Sequence, residues 1–404
     1  MTPKKNELVT IEITDMGSGG EGIGRADGFT LFVKGAVVGD VIEAKILKAK
    51  KTYGYAKIEK ILRSSECRIE PLCPVAGRCG GCQLQAMSYP AQLAWKERKV
   101  RGCLTRIGGV SFADERDATE AVAGVETDNV CETDKPCFLP VLGMEDCLSY
   151  RNKAQFPVGR DKTGKIVTGF YAGHSHAIIP STTCAIQAPV NEVICKIVCE
   201  HMEQYNIAPY EEESHTGLVR HILTRVGAAT GEVLVCLIVN GKSFPKAEVL
   251  AERLRGAVDG LKGVCLNVNK EKTNVILGNE IIPVWGDTYI TDYIGEVSFR
   301  ISPLSFYQVN PKQTKVLYEK ALEFAGLTGN EIVWDLYCGI GTISLFLAKK
   351  AKQVYGVEIV PQAIEDAKQN AMRNNIFNAE FFVGAAEEVL PAKYKKAAAV
   401  CVRM

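Results

Sequence analysis

DLYCGIGTISL, residues 335–345, places two glycines between a run that reads as a buried strand (EIVWDLY, 331–337) and one that reads as a helix (TISLFLAKKA, 342–351). Gly339 and Gly341 let the chain turn tightly and approach a ligand, and helix N-terminal amides then receive an anionic group. The pattern continues outward. QVYGVEIV (353–360) reads as a strand, PQAIEDAKQNAMRNN (361–375) as a helix, AEFFVG (379–384) as a third strand, and AAAVCVRM (397–404) as the start of a fourth. Alternating β and α runs at this spacing predict a parallel, doubly wound sheet.

Glu358 ends the second strand, at the spacing of about 20 residues where an acidic group holds ribose hydroxyls. The third glycine of a dinucleotide-binding G-x-G-x-x-G is replaced by Ser344. No pyrophosphate then needs accommodating, and S-adenosylmethionine fits better than NAD; the plain alternative is a structural turn with an incidental glutamate. Upstream, SFYQVNP (305–311) carries a helix start, with Asn310 as N-cap and Pro311 at the first helical position. That leaves Phe306, Tyr307 and Gln308 just outside a helix N-terminus. They read either as a core aromatic pair with a surface Gln, or as an aromatic that meets a base and a Gln that reaches the cofactor.

The chain has 404 residues, net charge +1 and 15 Cys. Its length implies two or three domains. No apolar run is long enough to span a bilayer, and the N-terminus lacks signal-peptide features, so a cytoplasmic protein without membrane contact is expected. Disulfides are disfavoured there. Cys103, Cys195, Cys199, Cys236 and Cys265 read as small buried apolar residues.

Residues 1–62 contain several short strand-like runs with Gly-rich turns, which predict a small β-barrel. KILKAKKTYGYAKIEK (45–60) interleaves lysines with Tyr53 and Tyr55. Lysines meet phosphates and tyrosines stack on bases, so single-stranded RNA suits this face as well as solvent does. The segment resembles a TRAM domain, an RNA-binding OB-like module. Residues 63–110 hold CPVAGRCGGC (73–82), a Cys-x5-Cys-x2-Cys loop, followed by an amphipathic helix over 89–109. Structural zinc sites usually use Cys-x2-Cys pairs. Three close cysteines and a distant fourth suit an iron–sulfur cluster. Cys67 and Cys184 are both candidates for the fourth ligand, Cys184 because PSTTCAIQ (180–187) opens a helix-like stretch. Residues 111–137 form an acidic insertion or linker carrying Cys131 and Cys137. Residues 138–300 mix strand-like runs (KAQFPVG, GEVLVCLIVNG, GVCLNVN, TNVILGN) with a helix in FPKAEVLAERLRGAV, an α+β domain. The H-x-H pair His174 and His176 places two histidines on one strand face, where a metal pair is an alternative, but without a third ligand it reads as surface histidines. Residues 301–404 are the α/β domain.

Together, the TRAM-like start, CPVAGRCGGCQLQ, YRNKAQFPVG, SFYQVNP, DLYCGIG and GVEIVPQAI resemble the RNA 5-methyluridine methyltransferase family, over nearly the whole chain apart from the acidic insertion. With the cysteine loop and the TRAM-like start, the chain resembles its 23S rRNA (uracil-5-)-methyltransferase branch. The resemblance implies S-adenosylmethionine bound through Gln308, Tyr337 and Glu358, with Phe306 facing the target base. It implies a [4Fe-4S] cluster on Cys73, Cys79, Cys82 and Cys184, with Cys67 outside the set. A monomer acting on 23S rRNA follows from it. So does a reaction in which a cysteine adds at uracil C6 and a glutamate later removes the C5 proton. In the family those two residues follow an Asp-Pro-Pro-Arg-like motif beyond the fourth strand. Cys338 and Cys401 do not match the nucleophile's position. The chain therefore reads as truncated, with half of its last sheet absent, and is expected not to turn over alone. The competing readings are a catalytically inactive RNA-binding iron–sulfur protein and a zinc protein using the same cysteines.

Overall fold

The computed structural model describes residues 3–113, 135–173, 175–393 and 399–402. It divides into two compact units, Met1–Glu145 with Ala172–His174, and Asp146–Tyr171 with Ser175–Met404.

The first unit begins with a closed barrel of β1 (Leu8–Met16), β2 (Gly22–Ala26), β3 (Phe29–Lys34), β4 (Val41–Ala49) and β5 (Tyr53–Arg63), in the order β1-β2-β3-β5-β4. Period-two alternation builds it. Phe29, Leu31 and Val33 point inward from β3 with Ile11, Ile13, Ile42 and Ile46, while Thr30, Phe32 and Lys34 point out. Gly24 is required by crowding, since a Cβ there would lie 2.6 Å from the Glu12 carbonyl oxygen. The cysteine loop follows. Arg68 reaches back to the fully buried Asp40 at 2.6 Å and to the Gly35 carbonyl at 2.8 Å, tying the loop to the barrel. Helix α1 (Tyr89–Arg106) then packs Trp95 against Met16, Val37 and Met87. Cys103, expected inside, is exposed on α1. Of the acidic stretch, residues 114–134, including Cys131, lie outside the described residues, as does His174.

The second unit carries a seven-stranded sheet of β6 (Lys153–Arg160), β7 (Ile166–Tyr171), β8 (Ile178–Pro180), β9 (Val219–Val226), β10 (Val233–Val239), β11 (Leu261–Val268) and β12 (Glu280–Gly286), in the order β12-β11-β10-β9-β6-β7-β8. Strand β10 is buried throughout because both its faces are covered. Val233, Val235, Leu237 and Val239 pack with α2 (Val190–Gln204) and α3 (Ala247–Ala257). Leu234, Cys236 and Ile238 face the other way, into a core shared with the hairpin β13 (Ile290–Ile294) and β14 (Val297–Ile301) and with the α/β layer beyond. TNVILGN, expected as a strand, is a loop instead. Buried Asn267 and Asn269 hold it by donating to the carbonyls of Gly278, Val275 and Ile276, so its backbone bonds to side chains rather than to a ladder.

The α/β layer runs α4 (Pro311–Ala325), β15 (Ile332–Leu336), α5 (Thr342–Ala348), β16 (Gln353–Glu358), α6 (Pro361–Arg373), β17 (Ala379–Val383), α7 (Ala386–Lys393) and β18 (Ala399–Val402). All pairings are parallel, in the order β17-β16-β15-β18. Val333 faces the core on the α5 and α6 side, and its neighbour Trp334 faces Val357 and Ala386 on the other. Helices cover both faces, as expected for a doubly wound sheet. Helix α5 stops at Ala348, a turn earlier than its sequence predicted.

Candidate active site

The register of β15 and β16 sets opposite each other the groups that the sequence singled out. Leu336 lies beside Val357, so the turn after β15 and Glu358 at the end of β16 share one sheet edge. The Tyr337 and Cys338 amides both donate to the Val357 carbonyl, at 2.8 and 3.0 Å. Tyr337 (φ 68°), Gly339 (φ 54°) and Gly341 (φ 80°) all take left-handed backbone, which makes the sharp turn. At Gly341 glycine is also needed for space, because a Cβ would stand 3.1 Å from Phe381 and 3.2 Å from Ala367. The Glu358 carboxylate accepts the Gly339 amide at 3.2 Å and the Val360 amide at 3.0 Å. Tyr337 is half exposed beside it.

Below the turn sits Asp335, which the sequence reading missed. It is 2% exposed and accepts a hydrogen bond from the Ser344 hydroxyl. Burial, together with the charge of Glu358, pushes its pKa up to about 6 against the lowering pull of Ser344. Ser344 thus turns inward to a buried carboxyl. The signal that could have found this pair is the Asp at a strand end, nine residues before a Ser in the following helix.

The 305–310 loop is clamped from the seven-stranded sheet. The Asn152 side chain donates to the Gln308 carbonyl at 3.0 Å, and its amide to Val309 at 3.1 Å. Arg225 donates to the carbonyls of Pro303 and Ser305. Asn310 caps α4 by accepting the Gln313 amide at 3.1 Å, as its sequence predicted. Tyr307 is buried and Phe306 is 70% exposed. Helix α4 is joined to the turn region by a 2.7 Å hydrogen bond between the hydroxyls of Tyr318 and Thr342. Gln308, Tyr337, Glu358 and Phe306 therefore belong to one body.

This donor set suits S-adenosylmethionine. A carboxylate fixed at a strand end offers two acceptors to a ribose diol, and the glycine turn leaves open space where a Cβ on Gly339 would meet nothing within 4 Å.

The cysteine loop lies in the first unit. Cys73 is buried, while Cys79 and Cys82 are partly exposed. The Cys79 sulfur accepts the Gly81 amide at 3.3 Å, and Lys34 donates to the Gly77 carbonyl at 3.2 Å. Cys184 belongs to the second unit. It sits in an irregular stretch six residues before α2, not at the helix start that its sequence suggested. Among the described residues, no three Cys, His, Asp or Glu side chains come together at metal-binding distance. The donor chemistry of three thiols in a glycine-rich loop still suits iron.

A third cluster lies on the outer face of β3 and β5. Phe32, Tyr53 and Tyr55 stand 5.7–5.9 Å apart, ring to ring, and Lys50 covers the Tyr53 ring at 4.9 Å. Phe32 pairs with Tyr55, and Lys34 with Lys57, in the parallel register. The row is aromatic at its centre and basic at its margin.

Residues 327–401 match the profile of a methyltransferase domain and residues 4–58 that of the TRAM domain. The chain is 46% identical over 393 residues to an uncharacterized RNA methyltransferase of Clostridium tetani, covering 97% of this chain and 80% of that protein. It is 45% identical over 390 residues to one from Halalkalibacterium halodurans, covering 96% and 80%. The Pyrococcus abyssi tRNA (uracil-54, C5)-methyltransferase, solved with S-adenosyl-L-homocysteine, matches with a TM-score of 0.69 at 24% identity, over 94% of this chain and 80% of that one. The fold is that of a methyltransferase joined to a TRAM barrel. The chain belongs to the RNA methyltransferase family of these relatives.

Proposed function

We propose that the protein methylates C5 of a uracil in RNA, with 23S rRNA as the target, acting as a cytoplasmic monomer. The observation that carries this reading is an exposed aromatic, Phe306, on a loop clamped by Asn152 and Arg225, in the same body as the Glu358 turn. Supporting it are the motif resemblance and a structural neighbour whose own substrate is a tRNA uracil.

S-adenosylmethionine supplies the methyl group. Glu358 holds its ribose, Tyr337 and Gln308 flank it, and Phe306 packs on the target base. C5 of uracil is a poor nucleophile, so the chemistry calls for a thiolate that adds at C6 and a base that later takes the C5 proton. Residues 1–404 contain no Asp-Pro-Pro-Arg-like motif to carry them. Cys338 is unsuited to the role, because burial and then the charges of Asp335 and Glu358 push its thiol well above the usual range.

A [4Fe-4S] cluster on Cys73, Cys79 and Cys82, with Cys184 as the fourth ligand, is part of this proposal. The loop chemistry supports the first three ligands and the family resemblance the fourth. The test is genetic. Cells lacking the gene should lose a 5-methyluridine from 23S rRNA, mapped by nucleoside mass spectrometry. Loss from transfer RNA alone would overturn the ribosomal target, and an unchanged 5-methyluridine content would overturn the reaction.

A further inference from the structure

Arg225, next to the last residue of β9, is 1% exposed. One of its terminal nitrogens grips the carbonyls of Pro303 and Ser305, immediately before Phe306. Its Nε and Nη1 have no hydrogen-bond partner among the described residues. Directly across the β6–β9 ladder stands Lys153. It is partly buried, and burial, then the charges of Arg225 and Arg151, hold its ammonium below the usual range. Among the described residues no carboxylate pairs with Lys153 or Arg225. Asp292, whose charge bears on the neighbouring Tyr307, spends its oxygens on the amides of Ala228 and Ala229 at 3.0 and 2.8 Å.

Lys153 thus faces Arg225, which holds the Phe306 loop, and the charge of Arg151, two residues earlier in the chain, bears on Lys153, with no carboxylate among the described residues to balance them. Burying like charges side by side is costly unless a counter-charge enters. A purely structural clamp needs Arg225 alone. It does not explain Lys153 facing it.

We infer that Lys153 and Arg151 form a phosphate site for the RNA strand, holding a backbone phosphate beside the nucleotide presented at Phe306. Arg225 is a positioning residue that fixes the Phe306 loop and adds positive potential from beneath. Lysine suits this task as a point charge on a flexible stem. The inference rests on the proposed RNA substrate and adds how the strand is gripped next to the base.

The test is binding of fluorescein-labelled poly(U) to the 404-residue protein across a salt series. Lys153→Gln should weaken binding and lower the slope of log K against log salt by about 0.7, the value for one phosphate on a single strand. Lys153→Arg should keep the slope, and S-adenosylmethionine affinity should not move in either variant. If Lys153→Gln fails to fold, Arg151→Gln reads the same phosphate. An unchanged slope in a folded variant would overturn the site. So would a loss of S-adenosylmethionine affinity in place of the slope change, which would make the anion the cofactor's carboxylate. Inorganic phosphate stabilising the wild type but not Lys153→Gln, with an unchanged slope, would assign the site to free phosphate and overturn the RNA reading. Because the readout is strand binding, its failure leaves uracil methylation standing, and unchanged 5-methyluridine in the deleted strain leaves this site standing.

Discussion

The Glu358 turn and the cysteine loop are both glycine-rich, and both were marked by sequence as sites, yet they are built differently. The turn closes on itself. Glu358, Val357 and the amides of Tyr337, Cys338, Gly339 and Val360 satisfy one another with only protein groups. The loop has a local frame of backbone bonds, but its thiols are not gathered into a metal-binding set among the described residues. A site made of backbone amides is fixed by the fold. The proposed thiolate site would take its final geometry from the group it holds.

The sharpest way to break this contrast is Cys79→Ser. Iron, sulfide and absorbance near ~400 nm should be lost together, the mark of thiolate-held iron. S-adenosylmethionine affinity should be unchanged. If both sites fail together, the two regions are not independent.

Glu358→Ala comes next. Losing charge-assisted hydrogen bonds worth about 1.5–3 kcal/mol should weaken S-adenosylmethionine binding roughly 10- to 100-fold by calorimetry. Iron content should not change.

The Asp335 carboxyl tests the turn's interior through pH. Its folded pKa of about 6 lies above the ordinary 3.8, so the folded state holds the proton more tightly. That contribution to stability is fully present below about pH 4 and is lost as pH rises through 6, on the order of 3 kcal/mol in all. His221 acts in the opposite sense. Burial, and then Arg220, lower its folded pKa to about 4, so its contribution is present above 6.5 and is lost as pH falls through 4. The two slopes oppose each other over nearly the same window. Asp335→Asn should therefore tilt the melting-temperature profile upward with pH between 4 and 6. An unchanged profile would mean that Asp335 is ionised as an ordinary carboxylate.

Gly356→Ala is a packing test with a smaller effect. Its Cβ would lie 2.5 Å from the Phe381 ring and 2.9 Å from the Cys338 sulfur. Overpacking should cost about 1–3 kcal/mol in urea unfolding. A neutral result would show that Phe381 can shift and that the turn is less tightly set than its contacts imply.

Legibility followed the same divide. The parallel β-α alternation, the barrel and the Asn310 cap were readable because each rests on a local period or a single turn residue. TNVILGN misled because its backbone is held by the side chains of Asn267 and Asn269, which an apolar run by itself does not reveal. Cys103 misled because α1 buries little besides Trp95, so an apolar-looking position there faces solvent. Asp335 was overlooked although its Ser344 partner is only nine residues on, whereas Arg225 and Lys153 were illegible for a different reason. Their meaning comes from strand neighbours 72 residues apart in the case of Lys153 and Arg225, which only the β6–β9 register brings together.

The most direct test of the account is titration of S-adenosylmethionine into the 404-residue protein, before and after treatment with a chelator that would strip the proposed cluster's iron. The account predicts binding with the same affinity in both, because the Glu358 turn is complete within its own unit. No binding in either, or binding that disappears with the iron, would contradict it.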